Sequence, residues 1–128
     1  LNFSTVASFY DDIIEKIKPE IIVGHCIGAY WALKMSLLHQ IPCVIANPRL
    51  APDFRDDYPS INDTDLDHNV PQVAYLELGD ELIDMYAAQE ILENYMLIQA
   101  VEGGHHRLLK PENINQLIEH LEQQYLYK

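Results

Sequence analysis

The sequence predicts an α/β fold in three layers, with a mostly parallel sheet of about four strands and helices on both faces. Two observations predict it. Short apolar runs bounded by Pro or Gly alternate along the chain with longer segments of helical spacing, and such alternation implies parallel strands joined by crossover helices. Those runs also lack the in-out alternation of a half-exposed strand, which is how strands buried on both faces read. A length of 128 residues suits a single domain, 1–128, with one core.

The elements follow in order. Residues 4–18 set Val6, Phe9, Ile13 and Ile17 at helical spacing, with Tyr10 and Ile14 beside them. Ser4 stands where an N-cap is needed and Pro19 ends the helix. Ile21-Ile22-Val23 is the first strand. Residues 27–39 are apolar nearly all round, as in a buried helix. Pro42 to Ala46 is the second strand. Residues 47–71 are polar, acidic and Pro-rich, a surface excursion with room for one short helix. Val73 to Leu78 is the third strand, turned by Gly79-Asp80. A helix over 83–94 leads to the fourth strand, Tyr95 to Val101, which Gly103-Gly104 breaks. Pro111 opens a last helix with Ile114, Leu117, Ile118, Leu121 and Tyr125 on one stripe.

Charge narrows the function. Twenty acidic residues against eight Lys and Arg give a net charge of −12. That argues against nucleic acid, whose phosphates call for basic patches, and against anionic membranes. No run approaches the ~20 apolar residues of a membrane span. Leu1-Asn2-Phe3-Ser4 has neither the basic start nor the apolar run of a signal peptide. Two cysteines, Cys26 and Cys43, are too few for a disulfide scaffold. A cytoplasmic protein with reduced thiols is expected. Cys43 reads as core strand, Trp31 and the tyrosines as packing, and His39, His68 and His120 as surface residues.

Three reactive groups fall at strand ends, where open parallel sheets gather their sites. Cys26 follows the first strand, Asp80 the third, and His105-His106 the fourth. Nucleophile, acid, base is the chain order of α/β hydrolases. Gly24-His25-Cys26-Ile27-Gly28 reads as a nucleophile elbow, whose strained strand-to-helix turn needs glycine at Gly24 and Gly28 for close passage of backbone. The following helix N-terminus favours negative charge and offers the Ile27 amide as an oxyanion donor. His106 is expected to be the base and Asp80 the group that orients it. Asp84 competes with Asp80 but falls within the next helix. His25 and His105 flank the site and would line its pocket. A metal site built from Cys26, His25, His105 and His106 is the competing reading, but no zinc spacing joins them, so no metal and no cofactor is expected. Taken alone, Cys26 reads as a small buried residue of a β-turn-α link; its context, between strand and buried helix, favours the elbow.

The elbow, the buried helix and Ala46-Asn47-Pro48 together resemble the YqiA/YcfP-like family of small bacterial α/β-hydrolase-fold esterases. Gly79-Asp80-Glu81-Leu82-Ile83-Asp84 resembles the family's acid-bearing turn. Glu102-Gly103-Gly104-His105-His106 resembles its Glu-Gly-Gly-Asn-His base motif, with His105 in place of Asn. The resemblance covers nearly the whole chain. It implies an esterase or thioesterase acting on a small acyl substrate, without a cofactor. Two departures stand out. The family's nucleophile is serine, and here it is Cys26. The family also opens with a strand and a His-Gly-Phe-type loop that supplies a second oxyanion donor, and no such loop precedes Ser4. A truncated α/β-hydrolase fold is therefore expected. The Ile21-Val23 strand is left with an uncovered edge, and exposed apolar edges invite pairing, so a homodimer or another partner is expected there, or else the remainder of a longer protein of which this chain is a fragment. Loss of one oxyanion donor could cost ~10²–10³ in rate. The alternative is thus a weak or inactive α/β-hydrolase-like module that binds a protein partner or ligand.

Overall fold

A computed structural model describes residues 1–126. Helix α1 spans Phe3–Ile17 and is capped by Asn2, whose side chain accepts from the Thr5 amide at 2.8 Å. The cap is therefore not Ser4, which lies inside the first turn. The buried face of α1 also differs from the expected stripe. Phe3, Val6, Ala7, Tyr10 and Ile14 pack against Tyr30, Trp31 and Met35, while Phe9 and Ile17 are exposed. A stripe through 3, 6, 7, 10 and 14 keeps helical spacing as well as one through 6, 9, 13 and 17 does. The aromatic cluster around Trp31 decides between them, with Phe3 at 4.9 Å and Tyr10 at 5.7 Å between ring centroids.

Four strands form one sheet: β1 (Ile22–His25), β2 (Cys43–Ala46), β3 (Gln72–Glu77) and β4 (Leu97–Val101). Their spatial order is β1-β2-β3-β4 and every pairing is parallel. Each crossover carries helix: α2 (Ile27–His39) from β1 to β2, α3 (Asp63–Leu66) within the excursion from β2 to β3, and α4 (Met85–Leu92) from β3 to β4. Helix α5 (Glu112–Leu121) follows β4. The expected fold class is the observed one.

Strand alternation divides the core between the two faces. Cys43, Ile45, Ala74 and Leu76 face Ala29, Ala32 and Leu33 of α2 and Met85, Ala88 and Leu92 of α4. Val44, Ala46, Val73 and Tyr75 face Leu117 and Leu121 of α5. Both central strands are buried along their length, as their continuous apolar runs require. Fully burying one such side chain stabilises the fold by about 1.5–3 kcal/mol. The α5 stripe stops at Leu121. Tyr125, expected on it, is exposed within a final π-turn (Glu122–Leu126) that shifts the helical phase. Two histidines expected on the surface are partly buried. The His39 ring meets Asp11 at 2.8 Å, and His68 accepts from the Val70 amide. His120 is exposed.

β1 lies at the sheet's edge. Its exposure alternates along the strand and Val23 is 49% exposed, unlike the fully buried strand its composition suggests. No helix of the described residues is long and apolar enough to cross a membrane.

Candidate active site

Cys26 joins β1 directly to α2 and adopts φ 59°, ψ −117°. A positive φ is rare for a residue with a Cβ and persists only where the surroundings fix it. Here they do. The Cys26 amide donates to the Ala46 carbonyl at 3.1 Å, and the Cys26 carbonyl accepts from the amides of Ala29, Tyr30 and Arg49. The turn closes so tightly that a Cβ on Gly24 would sit 2.2 Å from the Gly28 carbonyl oxygen. Gly28 itself has open space where its Cβ would be. The close passage therefore demands glycine at Gly24 only, and the expected need at Gly28 is not spatial. Cys26 occupies the N-cap position of α2 without capping it through its side chain. That leaves the first amides of the helix, Ile27 included, without a partner from the Cys26 side chain. Cys26 is partly exposed, whereas Cys43 is buried and its thiol is pushed up to about 12 by that burial.

Asp80 lies three residues past the end of β3, with its carboxylate fully buried. It accepts from Asn47 Nδ2 at 2.9 Å, the Leu82 amide at 2.8 Å and the Ile83 amide at 3.0 Å, and it pairs with His106 Nδ1 at 2.8 Å. Burial alone would raise its pKa. The bonds from His106, Asn47 and the two amides outweigh that burial and hold the carboxyl below its ordinary value. Asp84, the competing acid, is instead the N-cap of α4, accepting from the Ala87 amide at 3.1 Å.

The loop after β4 has a long way to travel. β1 and β4 are three strand spacings apart, about 14 Å. The loop crosses the carboxyl end of β3 and reaches the end of β1. Along this path the His106 amide donates to Glu81 Oε2 at 3.1 Å, and the His106 carbonyl accepts from His25 Nε2 at 2.9 Å. The His25 and His106 rings lie 5.2 Å apart. His105 points away, exposed, with Nδ1 3.4 Å from Glu81. His106 is thus fixed through its amide, its carbonyl and Nδ1. In a neutral imidazole, an Nδ1–H donated to Asp80 makes Nε2 the acceptor nitrogen, the one a base uses.

The structure brings Asp80, His106 and His25 together by direct bonds. Cys26, adjacent to His25, stands at the same end of the sheet. Among the described residues no hydrogen bond joins its sulfur to His106. Such bonds often tighten only once substrate is present. The sequence reading missed two residues of this region. Asn47, fully buried with φ 40°, accepts from the Glu77 amide at 2.8 Å and donates to Asp80 and to the Glu77 carbonyl. Its signal was an Asn directly after a buried strand, a residue type that tolerates the left-handed region. Glu77, also fully buried, was signalled by a carboxylate inside an apolar strand run, where an unpaired charge is costly.

Searches against protein families and curated proteins find no match to this chain. Among solved structures the chain is similar to XC6422 from Xanthomonas campestris, described as a member of a/b serine hydrolase without lid. The TM-score is 0.50 at 18% identity, covering 80% of this chain and 44% of that one. The chain thus spans less than half the length of XC6422. The likeness is one of fold: four parallel strands and their helices resemble part of an α/β-hydrolase fold.

Proposed function

We propose that this chain is a hydrolase of small acyl esters or thioesters that uses Cys26 as nucleophile, His106 as general base and Asp80 to orient His106. The observation that carries this reading is the strained Cys26 turn, at the same sheet end as a His106 whose Nδ1 is bonded to a buried carboxylate. His106 Nε2 takes the thiol proton as the sulfur attacks the acyl carbonyl. The Ile27 amide stabilises the oxyanion, and the proton passes to the departing alcohol or thiol. Water, deprotonated by the same nitrogen, then releases the acid and restores the thiol. The resemblance to the YqiA/YcfP-like esterases supports the same chemistry and belongs to this proposal.

The open β1 edge favours a second reading, a module that is catalytically weak and binds a protein partner or a second copy of itself by strand pairing. A series of short-chain chromogenic esters and thioesters, offered to the wild-type protein, separates the two. The hydrolase reading expects turnover that disappears when Cys26 is alkylated stoichiometrically. Absence of turnover across the whole series would remove that reading and leave the binding module.

A further inference from the structure

The loop that carries His106 wraps around a buried anion. Glu77 ends β3, and its side chain is enclosed. Oε1 accepts from the His105 amide at 3.3 Å and the Leu109 amide at 2.9 Å. Oε2 accepts from the Lys110 amide at 2.9 Å and the Tyr75 hydroxyl at 2.7 Å. Three backbone N–H groups of one loop therefore converge on one carboxylate, on both sides of His106 in the chain. The loop approaches so closely that a Cβ on Gly104 would sit 2.2 Å from Glu77 Oε1, and Gly104 has φ +84° besides. Tyr75 in turn accepts from Asn113 Nδ2 of α5 at 3.4 Å. Nothing in the chemistry proposed for Cys26 uses Glu77, yet a carboxylate in a core is retained at a cost unless its bonds achieve something.

We propose that Glu77 is a positioning residue: its carboxylate gathers the 105–110 backbone and so sets His106 against Asp80. The proposal rests on the reading of His106 as the base, but it makes a claim about loop geometry that can fail separately. Two opposed influences bear on the carboxyl. Burial disfavours its charged form, and the Leu109, Tyr75, Lys110 and His105 donors outweigh burial and hold it below its ordinary value. The charged form is thus the one that organises the loop. A glutamine at this position keeps one acceptor oxygen and turns an NH₂ group toward the Lys110 amide or its neighbours, so at least one loop bond is lost.

The test compares wild type with Glu77→Gln by NMR and by steady-state kinetics. In wild type the His106 Nδ1 proton, shared with Asp80, should give a resolved far-downfield resonance. In Glu77→Gln that resonance should broaden or vanish while the amide spectrum of β1 and α2 is retained. kcat on a short-chain ester should fall about tenfold to a hundredfold, as mispositioned groups do, with KM little changed. A resonance and kcat unchanged from wild type would overturn the proposal. If the variant fails to fold, the wild type supplies the deciding measurement. The Leu109 and Lys110 amide shifts should follow one carboxyl that titrates below the usual glutamate range, and amides indifferent to that titration would overturn it. Absence of turnover in wild type would count against the hydrolase reading alone, and the NMR comparison would still decide the role of Glu77.

Discussion

Replacing His106 with alanine is expected to lower kcat/KM for a short-chain ester by about 10²–10⁴, the range over which a positioned general base contributes. The expectation follows from how completely the ring is committed. Nδ1 bonds a buried carboxylate at 2.8 Å, and the backbone on either side is held by Glu81 and His25. A merely solvated loop histidine has none of these partners. Alanine removes the base and also leaves Asp80 without its imidazole, still supported by Asn47 and two amides. The fold should therefore persist. His105→Ala should have a much smaller effect, because that ring is exposed and its one ion-pair partner among the described residues is the exposed Glu81. Steady-state kinetics on the two variants, with circular dichroism as the check on folding, give the comparison. Equal losses in both, or none in either, would remove His106 from the mechanism.

Asn47→Ala is expected to lower stability by about 3–5 kcal/mol, measured as a drop in the urea midpoint. The Asn47 amide makes three hydrogen bonds in the buried interior, to Asp80, to the Glu77 carbonyl and from the Glu77 amide. Leaving a buried polar partner unsatisfied costs about 1–3 kcal/mol. Holding alanine at φ 40° adds about 1 kcal/mol, because the left-handed region favours Asn over residues with a plain Cβ. Asn47→Asp tests the electrostatic side of the same contact. It retains the acceptor for the Glu77 amide but places a second carboxylate against Asp80, so it should destabilise most where both are ionised and recover as pH falls. A loss below about 1 kcal/mol for alanine would mean that the Asn47 bonds are replaced by other groups.

Much of this architecture is legible in the sequence, for reasons that differ between elements. β2 and β3 are buried on both faces, so their composition alone marks them as strands. α2 is buried almost all round and is equally plain. The turn at Cys26 is legible because it sets a strand, a glycine at Gly24 and a buried helix in fixed order. What is not legible depends on tertiary contact. The face of α1 is chosen by the cluster around Trp31, and periodicity does not distinguish it from its neighbour. His39 is drawn inward by Asp11, a partner 28 residues away. Glu77 acts through backbone amides of the 105–110 loop, and Asn47 through the Glu77 backbone and the Asp80 carboxylate; backbone groups leave no mark in a sequence. Asp80 and His106 were expected together because both follow parallel strands, whose carboxyl ends share one side of the sheet. Their direct bond depends on the loop's path over β3, which the Glu77 and Glu81 contacts set.

The central claim is that the strained turn at Cys26 presents a working nucleophile. Brief exposure to p-nitrophenyl acetate, followed by acid quench and peptide mass spectrometry, addresses it most directly. The account predicts one acetyl group on the peptide carrying Cys26, none on buried Cys43, and neither adduct nor turnover in Cys26→Ala. Turnover that continues undiminished in Cys26→Ala, or a wild-type Cys26 that stays unmodified throughout turnover, would contradict it.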